Sequence, residues 1–590
     1  MTRPLDVAAT AAAVREGARS AVEVAEDCLS RVRDYDAIQP QTWISRFGDD
    51  DILARARQVD ARLARGESLP LAGVPFAVKD NLDVAGLATT AACPAFAYAP
   101  VQDSEVVTRL TAAGAIPIGK TNLDQFATGL TGTRSPYGAP GCVFERAWIA
   151  GGSSSGSAVA VAAGLVGFAL GSDTAGSGRV PAAFNGLVGF KPTPGRWSTR
   201  GLVPACRSLD CVSVFTHSVA DAAMIDAELA AFDGADPFSR RAETAPAAAK
   251  TIGVPRSGDL IWLGDAQSER LYEAALKAMT DSGGRLVEVD IAPLLACGRL
   301  LYDGPWVAER ALALSAALKG NPAAIHPVVR AIVQAGAGIS AVDAFEGLHA
   351  LQGYQRAAQS LWADVDALML PTAPTIYRLA EVLAEPFALN ANLGTYTNFV
   401  NLLNMAAVAA PAGFRTNGTG FGVSFLGPAW SETRMLALAE RLAERMPPRR
   451  PPVDISSRPP TVKLAVVGAH LSGMPLHWQL ASRNARLVGA GRTAAAYKLY
   501  AMAGGSPPKP ALVHVGIEDG VTIEVEVYEL DLAAFGAFVA EVPPPLAIGT
   551  VDLETGEAVK GFVAEPRAVT GARDISQFGG WRAFVAAGAA

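Results

Sequence analysis

GGSSSGSAVAVAAGLVGFALGSDTAGSGRVPAAFNGLVGFKPT, residues 151 to 193, holds two clusters of glycine and serine with an apolar segment between them. Glycine permits positive φ and close backbone approach. Successive N–H groups in such a turn can converge on one point, as an anion nest or an oxyanion hole. A serine at the end of the turn is then exposed to attack a carbonyl. A flexible linker would lack the apolar flanks seen here, and the run continues into the core-like VPAAFNGLVGFKP. The G-x-x-x-x-G-K-[ST] arrangement of a phosphate loop does not occur in it.

A serine nucleophile needs a base. The chain has 6 histidines, none near these loops in sequence. Neither Gly151-Gly152-Ser153-Ser154-Ser155 nor Gly176-Ser177-Gly178 has the form of an α/β-hydrolase elbow. Lys79 is the alternative. It follows the apolar run VPFAV and precedes Asp80. A lysine at the end of a buried strand is partly desolvated, which lowers its pKa and lets the neutral amine act as a base.

Outward from this stretch, residues 1 to about 70 read as Ala-rich helices with apolar residues at helical spacing. LAGVPFAVKDNLDV, from Leu71, reads as a short strand and a polar turn. TRLTAAGAIPIGKTNLDQFA reads as helix, strand, loop and helix. The alternation predicts a mixed central sheet covered by helices, an α/β fold. Residues 220 to 365 read as mostly helical, with strands at KTIGVPRS and RLVEVD; further strands are predicted at ALMLPTAP and GFGVSFLG. The last helix of this domain, residues 1–445, ends near Arg445. MPPRRPPVDISSRPP, within residues 446–461, reads as a semi-extended proline-rich linker. Residues 462–590 differ in texture and predict a smaller α+β domain, with strands at KLAVVGAHL, ALVHVGIE and GVTIEVEVYEL.

The composition of the 590 residues is globular, with a formal net charge of −7 and no basic stretch of the kind that marks a nucleic-acid binder. The 6 cysteines form no CxxC pair, so neither a zinc site nor a disulfide framework is indicated, and a reducing cytoplasm is the expected compartment. The N-terminus lacks the apolar region of a secretory signal. AVAVAAGLVGFALG, from Ala158, is too short to span a bilayer and reads as a buried core helix. No metal cluster, nucleotide loop or flavin motif is seen, so no cofactor or metal is expected, and neither membrane nor nucleic acid is an expected partner.

Residues 151–193 closely resemble the amidase-signature motif, and GVPFAVKDN resembles that family's upstream lysine motif; order and spacing agree as well. The resemblance covers most of residues 1 to 445 and implies the amidase-signature fold. Position by position it implies Lys79 as catalytic lysine, Ser153 as the bridging serine held in a cis peptide, and Ser177 as nucleophile. The backbone N–H groups of Thr174, Ala175, Gly176 and Ser177 would receive the oxyanion. Asp173 and Arg179, in the same motif, are read as braces of the loops, and Ser154 and Ser155 as loop hydrogen-bonders.

Members of the family share this chemistry and differ in substrate. YDGPWVAER, residues 302 to 310, offers a phenol, an indole and a guanidinium in a helical region. Tyr302 and Arg310 are close to two helical turns apart and could share a face, and arginine suits a small carboxylate. This segment resembles the one with which allophanate hydrolases hold substrate; the resemblance implies contacts from Tyr302 and Arg310, and from Gly129 in FATGLTG through its backbone. The second domain also resembles the C-terminal domain of allophanate hydrolases. The resemblance thus implies an amide hydrolase that takes allophanate to ammonia and N-carboxycarbamate, ending in two ammonia and two carbon dioxide, in urea or cyanuric acid/triazine nitrogen use. It implies functional association with a urea carboxylase or another upstream enzyme. A homodimer is expected. His470 is the acid/base candidate of the second domain, ahead of His477, because AHLSG looks like a turn opening onto a pocket. The alternatives are another amidase-signature enzyme, such as a small-acid amidase or the glutaminase subunit of a tRNA amidotransferase, and a catalytically dead scaffold.

Overall fold

The computed structural model describes residues 5–243, 249–453, 461–483, 485–502 and 507–588. The chain divides into two compact units, one of residues 1–134 and 140–455, the other of residues 456–590 grouped with 135–139.

The first unit is built on an 11-stranded sheet. Its strands are β1 (Trp43–Arg46), β2 (Pro75–Lys79), β3 (Ile116–Thr121), β4 (Phe168–Asp173), β5 (Val188–Lys191), β6 (Cys211–Thr216), β7 (Thr251–Pro255), β8 (Arg285–Val289), β9 (Ala367–Pro371), β10 (Ala406–Phe414) and β11 (Gly420–Gly427). They lie in the order β1-β3-β2-β4-β6-β5-β10-β11-β9-β7-β8. The trios β3-β2-β4 and β9-β7-β8 are parallel and the other pairings antiparallel, so the sheet is mixed, as the sequence predicts.

Strands buried on both faces read as continuous apolar runs, and β2 and β4 are buried at every residue. Alternation then sorts their side chains. Phe76 and Val78 join Phe168 and Leu170 in one core, while Ala77 and Ala169 face the other. Phe76 and Phe168 are register partners, with rings stacked 5.0 Å apart. The small alanines lie in the cluster that also holds Ala158, Val159, Ala160 and Val161, from the fully buried helix Ser155–Ala162. Because β2 and β4 run parallel, Lys79 and Asp173 end at the same edge of the sheet. The open edge beyond the carboxyl ends of parallel strands is where α/β sheets place ligands.

Four local expectations change. The apolar run from Ala158 is not one core helix. The helix stops at Ala162, Gly164 takes a φ of 71°, and Leu165 N–H donates back to Ala160 O, a Schellman closure; the remainder becomes β4. The helix read in NLDQFA is a single 3₁₀ turn, Gln125–Ala127, in which Phe126 and Ala127 have φ of 51° and 52° and reverse the chain. The helical N-terminal region includes a strand, β1, which pairs with β3. A further strand, β10, lies between Asn398 and GFGVSFLG, where the sequence shows no separate signal for it. Of the proline-rich stretch, residues 447–453 hold no regular element, although Arg450 is tied to the carbonyls of Gly186 and His217. Residues 454–460 lie outside the described residues.

The second unit has a five-stranded sheet, ordered β13-β16-β12-β18-β17, and a three-stranded sheet, β15-β14-β19. These strands are β12 (Thr461–Val466), β13 (Arg486–Arg492), β14 (Tyr497–Ala501), β15 (Pro510–His514), β16 (Glu524–Asp531), β17 (Leu546–Asp552), β18 (Ala558–Ala564) and β19 (Arg573–Asp574). With the helices Leu532–Ala540 and Trp581–Ala586 it is α+β. Among the described residues no single helix is long and apolar enough to cross a membrane.

The stacked pair under the strand ends sets a stability test. Phe168→Ala should lower unfolding free energy by about 3–5 kcal/mol, the range for deleting a buried phenylalanine ring. Denaturant melts of the purified variant against the parent measure it.

Candidate active site

Lys79 closes β2 and is fully buried. Its Nζ lies 2.8 Å from Ser153 Oγ, 2.8 Å from Ser172 Oγ and 3.4 Å from Ser172 O. Ser172, the penultimate residue of β4, also receives Asn81 Nδ2 at 3.1 Å. The lysine nitrogen is therefore held by hydroxyls and a carbonyl and forms no ion pair with a described residue. Burial pulls its pKa down to about 7, against the opposing pull of Asp124, Asp173 and Asp210. The Gly152–Ser153 peptide is cis. Gly152 N–H donates to Leu130 O and Asp124 N–H to Ser153 O, which stitches this turn to the segment 124–134.

Beyond β4 the chain turns through residues 174–178. Asp173 organises the turn: its carboxylate accepts from Gly176 N–H at 2.8 Å and Gly178 N–H at 3.0 Å, and pairs with Arg179 at 2.9 Å, both partners fully buried. The bracing expected of Asp173 and Arg179 is thus physically present. Gly176 has a φ of 127°, and a Cβ there would come within 2.4 Å of Thr397 Oγ1, so only glycine fits. The expected oxyanion donors differ in their present bonding. Gly176 has already committed its N–H, while those of Thr174, Ala175 and Ser177 donate to no other described residue. Thr174 donates its hydroxyl to Asp210, whose carboxyl burial pushes up to about 6. Ser154 and Ser155 make no side-chain hydrogen bond within their loop among the described residues, contrary to expectation: Ser154 Oγ donates to Ser172 O on β4, and the Ser155 hydroxyl is buried without a partner.

Ser177 Oγ faces Gly129 O at 3.5 Å, and no hydrogen bond joins it to Ser153 Oγ. The structure therefore brings Lys79 and Ser153 together, and leaves the nucleophile candidate on a long, weak bond to Gly129. A Cβ on Gly129 would come within 2.5 Å of Asp124 Oδ2, which explains a glycine at this contact.

Tyr302 and Arg310 meet, but not across one helix. The helix Ala292–Asp303 ends before Gly304 and Pro305, and a second helix, Trp306–Ala313, carries Arg310. The Pro305 ring cannot continue the first helix. Across this break the Arg310 guanidinium lies over the Tyr302 ring, 5.3 Å from its centroid. Arg310 is 1% exposed, its Nε has no partner, and its guanidinium's one hydrogen bond to a described residue runs from Nη1 to Thr128 Oγ1 at 3.5 Å. It makes no ion pair with a described residue. The acids within electrostatic reach, Asp210 and Glu309, are hydrogen-bonded elsewhere, to Thr174, Ala205 and Cys206, and to Ser208.

In the second unit His470 follows β12 and lines a cavity of about 200 Å³ with Gly468, Gln479, Lys509, Glu541 and Phe562. Its Nε2 bonds Gln479 Oε1 at 2.7 Å and its ring stacks on Phe562 at 5.0 Å. Burial pulls its pKa down to about 4, so the ring is neutral near pH 7. His477 opens a short helix with its ring 5.8 Å from Tyr528. Among the described residues no cluster of His, Cys, Asp and Glu could hold a metal.

Sequence reasoning passes over Ser172, Asn81, Asp124, Thr128, Arg134 and Asp210. Ser172, Asn81 and Thr128 sit inside the quoted glycine-serine run, GVPFAVKDN and FATGLTG respectively and are within its reach; Asp124, Arg134 and Asp210 are brought in by loops whose courses carry no local signal.

The family model for amidases matches residues 23–436, and that for the allophanate hydrolase C-terminal domain matches residues 462–586. Urea amidolyase of Saccharomyces cerevisiae is 43% identical over 570 residues, covering 92% of this chain; the chain spans only 31% of that protein's length. A solved allophanate hydrolase of Kluyveromyces lactis aligns at a TM-score of 0.69 with 41% identity, covering 97% of this chain and 98% of that one. One of the glutamyl-tRNA(Gln) amidotransferase subunits of Prochlorococcus marinus is 37% identical over 434 residues, 66% of this chain and 87% of that protein. The chain therefore belongs to the amidase family, an amide hydrolase in which an amidase-signature domain is followed by an allophanate hydrolase C-terminal domain.

Proposed function

We propose that the chain hydrolyses the terminal amide C–N bond of allophanate, releasing ammonia and N-carboxycarbamate. One observation carries the choice of substrate: the Arg310 guanidinium is buried without a carboxylate partner among the described residues, and it meets Thr128, the neighbour of the glycine that faces Ser177. A buried charge is costly unless paired. A small amide bearing a carboxylate supplies the missing partner and brings its carbonyl towards the serine.

In this reading Ser177 Oγ attacks the amide carbon, its proton passes to Ser153, and the Ser153 proton passes to neutral Lys79. The N–H groups of Thr174, Ala175 and Ser177 receive the oxyanion. Lys79 returns a proton through Ser153 to the leaving nitrogen, the C–N bond breaks and ammonia departs. Water then hydrolyses the acyl-serine and restores the Ser177 hydroxyl. The missing Ser153–Ser177 bond is compatible with this order, since catalytic hydrogen bonds tighten when substrate seats. His470, held neutral, suits an uncharged wall of its cavity rather than a proton donor near pH 7. The six buried free thiols suit the reducing cytoplasm proposed as its compartment. The match to one part of urea amidolyases supports an association with a urea carboxylase, and the homodimer remains part of the proposal, to be read from solution mass.

Ammonia release from allophanate, against biuret, urea and malonamate, tests the substrate; cleavage of malonamate alone would overturn it. Arg310→Ala should raise KM for allophanate about 10- to 100-fold, the scale of one buried charge-assisted bond, and unchanged kinetics would remove its binding role. Ser177→Ala should abolish cleavage and fluorophosphonate labelling in a folded protein, and Lys79→Ala should come close to it. Because Lys79 must be uncharged to accept a proton, kcat/KM should rise with pH through about 7. A profile flat from about pH 5.5 to 8.5, measured by initial rates, would exclude this lysine as the base.

A further inference from the structure

We propose that Arg134 is a positioning residue for an anionic substrate: it clamps the Thr128 carbonyl so that the Thr128 hydroxyl meets Arg310. The inference rests on the reading of Arg310 given above. Arg134 is 1% exposed, makes no ion pair with a described residue, and its Nε has no partner. Its fork instead grips two carbonyls, Nη1 to Thr128 O at 2.9 Å and Nη2 to Pro386 O at 2.7 Å. Its backbone closes the same loop, with Arg134 N–H donating to Asp124 Oδ1 at 2.9 Å and Gln125 N–H to Arg134 O at 2.7 Å.

The loop it closes needs holding. Phe126 and Ala127 sit at positive φ without being glycine, a conformation that persists only where the surroundings enforce it. The next residue is the one that matters: Thr128 Oγ1 receives Arg310 Nη1 at 3.5 Å. Thr128 is thus held from both sides, its carbonyl by one guanidinium and its hydroxyl by another. A planar fork can bond two carbonyls at once where an ammonium offers a single point of charge. Two buried cations around one loop, neither in an ion pair with a described carboxylate although Asp124 acts on Arg134 and Asp210 and Glu309 act on Arg310 from farther off, also favour an anion over an uncharged amide. A loop brace with no part in recognition would treat charged and neutral substrates alike.

The test uses the full chain, with allophanate and malonamate as anionic amides and biuret and malonamide as their neutral counterparts. Arg134→Gln is expected to raise KM for the anions about tenfold with kcat little changed, the scale of one charge-assisted bond, and to leave kcat/KM for the neutral pair within about threefold. Arg134→Lys should restore less than half of the lost affinity. In the background of Arg310→Ala, Arg134→Gln should add almost nothing, because it acts through Arg310. Equal losses on charged and neutral amides, or additive losses in the double variant, overturn the proposal. Should Arg134→Gln not fold, Thr128→Val removes the hydroxyl that meets Arg310 and must raise KM for the anions alone; no such rise also overturns it. A parent enzyme that prefers the neutral amides would instead overturn the reading of Arg310, and is recognised before any variant is made.

Discussion

A lysine nitrogen shut away from water, with hydroxyls rather than a carboxylate for neighbours, is the constraint around which the first unit is arranged. Lys120, on the adjacent strand, shows what the alternative looks like. It is equally buried but lies 2.9 Å from Asp80, which stabilises its charged form, whereas Lys79 meets Ser153 and Ser172. Burial lowers the pKa of both lysines; at Lys120 the Asp80 carboxylate opposes it, while at Lys79, where hydroxyls stabilise an ammonium less than a carboxylate does, the pKa falls to about 7. Two lysines on neighbouring parallel strands thus differ in role through one side chain. The sheet supplies the burial: β2 is covered on both faces, and the parallel pairing of β2 with β4 brings Ser172 to the lysine.

The buried arginines divide in the same way. Arg179 forms a two-point ion pair with Asp173 through Nε and Nη2, and together they fix the turn that carries Ser177. Arg310 and Arg134 have no such partner among the described residues. A buried cation ion-paired with a carboxylate is structural; one without such a pair anticipates a ligand. The distinction separates residues of the same type, at similar depth, within one unit.

Much of this is legible in the sequence where the signal is local. The glycine-serine clusters and the strand-end lysine mark the chemistry, and alternating strand and helix texture marks the mixed sheet. The failures have physical causes. The apolar run from Ala158 has no period that separates a helix from a buried strand, and Gly164 decides the matter by turning the chain. The spacing of Tyr302 and Arg310 suits one helix, yet Gly304 and Pro305 break it and the ring and guanidinium still meet, by tertiary packing. The N–H of Gly176 is available by sequence alone, and only the folded turn shows Asp173 taking it. Asp210 and Arg134 leave no trace because their importance lies in loops folded from afar.

Ser172 and Asp173 are consecutive residues of β4, so they point to opposite sides of the strand. One anchors the proton acceptor, the other the turn that bears the nucleophile. Deleting a single residue between Phe168 and Ser172 would set the Asp173 carboxylate against the lysine and the Thr174 hydroxyl beneath the turn, and inserting one ahead of Gly171 would leave Gly171 at the lysine. Length variation in this segment is therefore closed to the lineage even where the fold could absorb it, and any drift here must proceed by substitution alone.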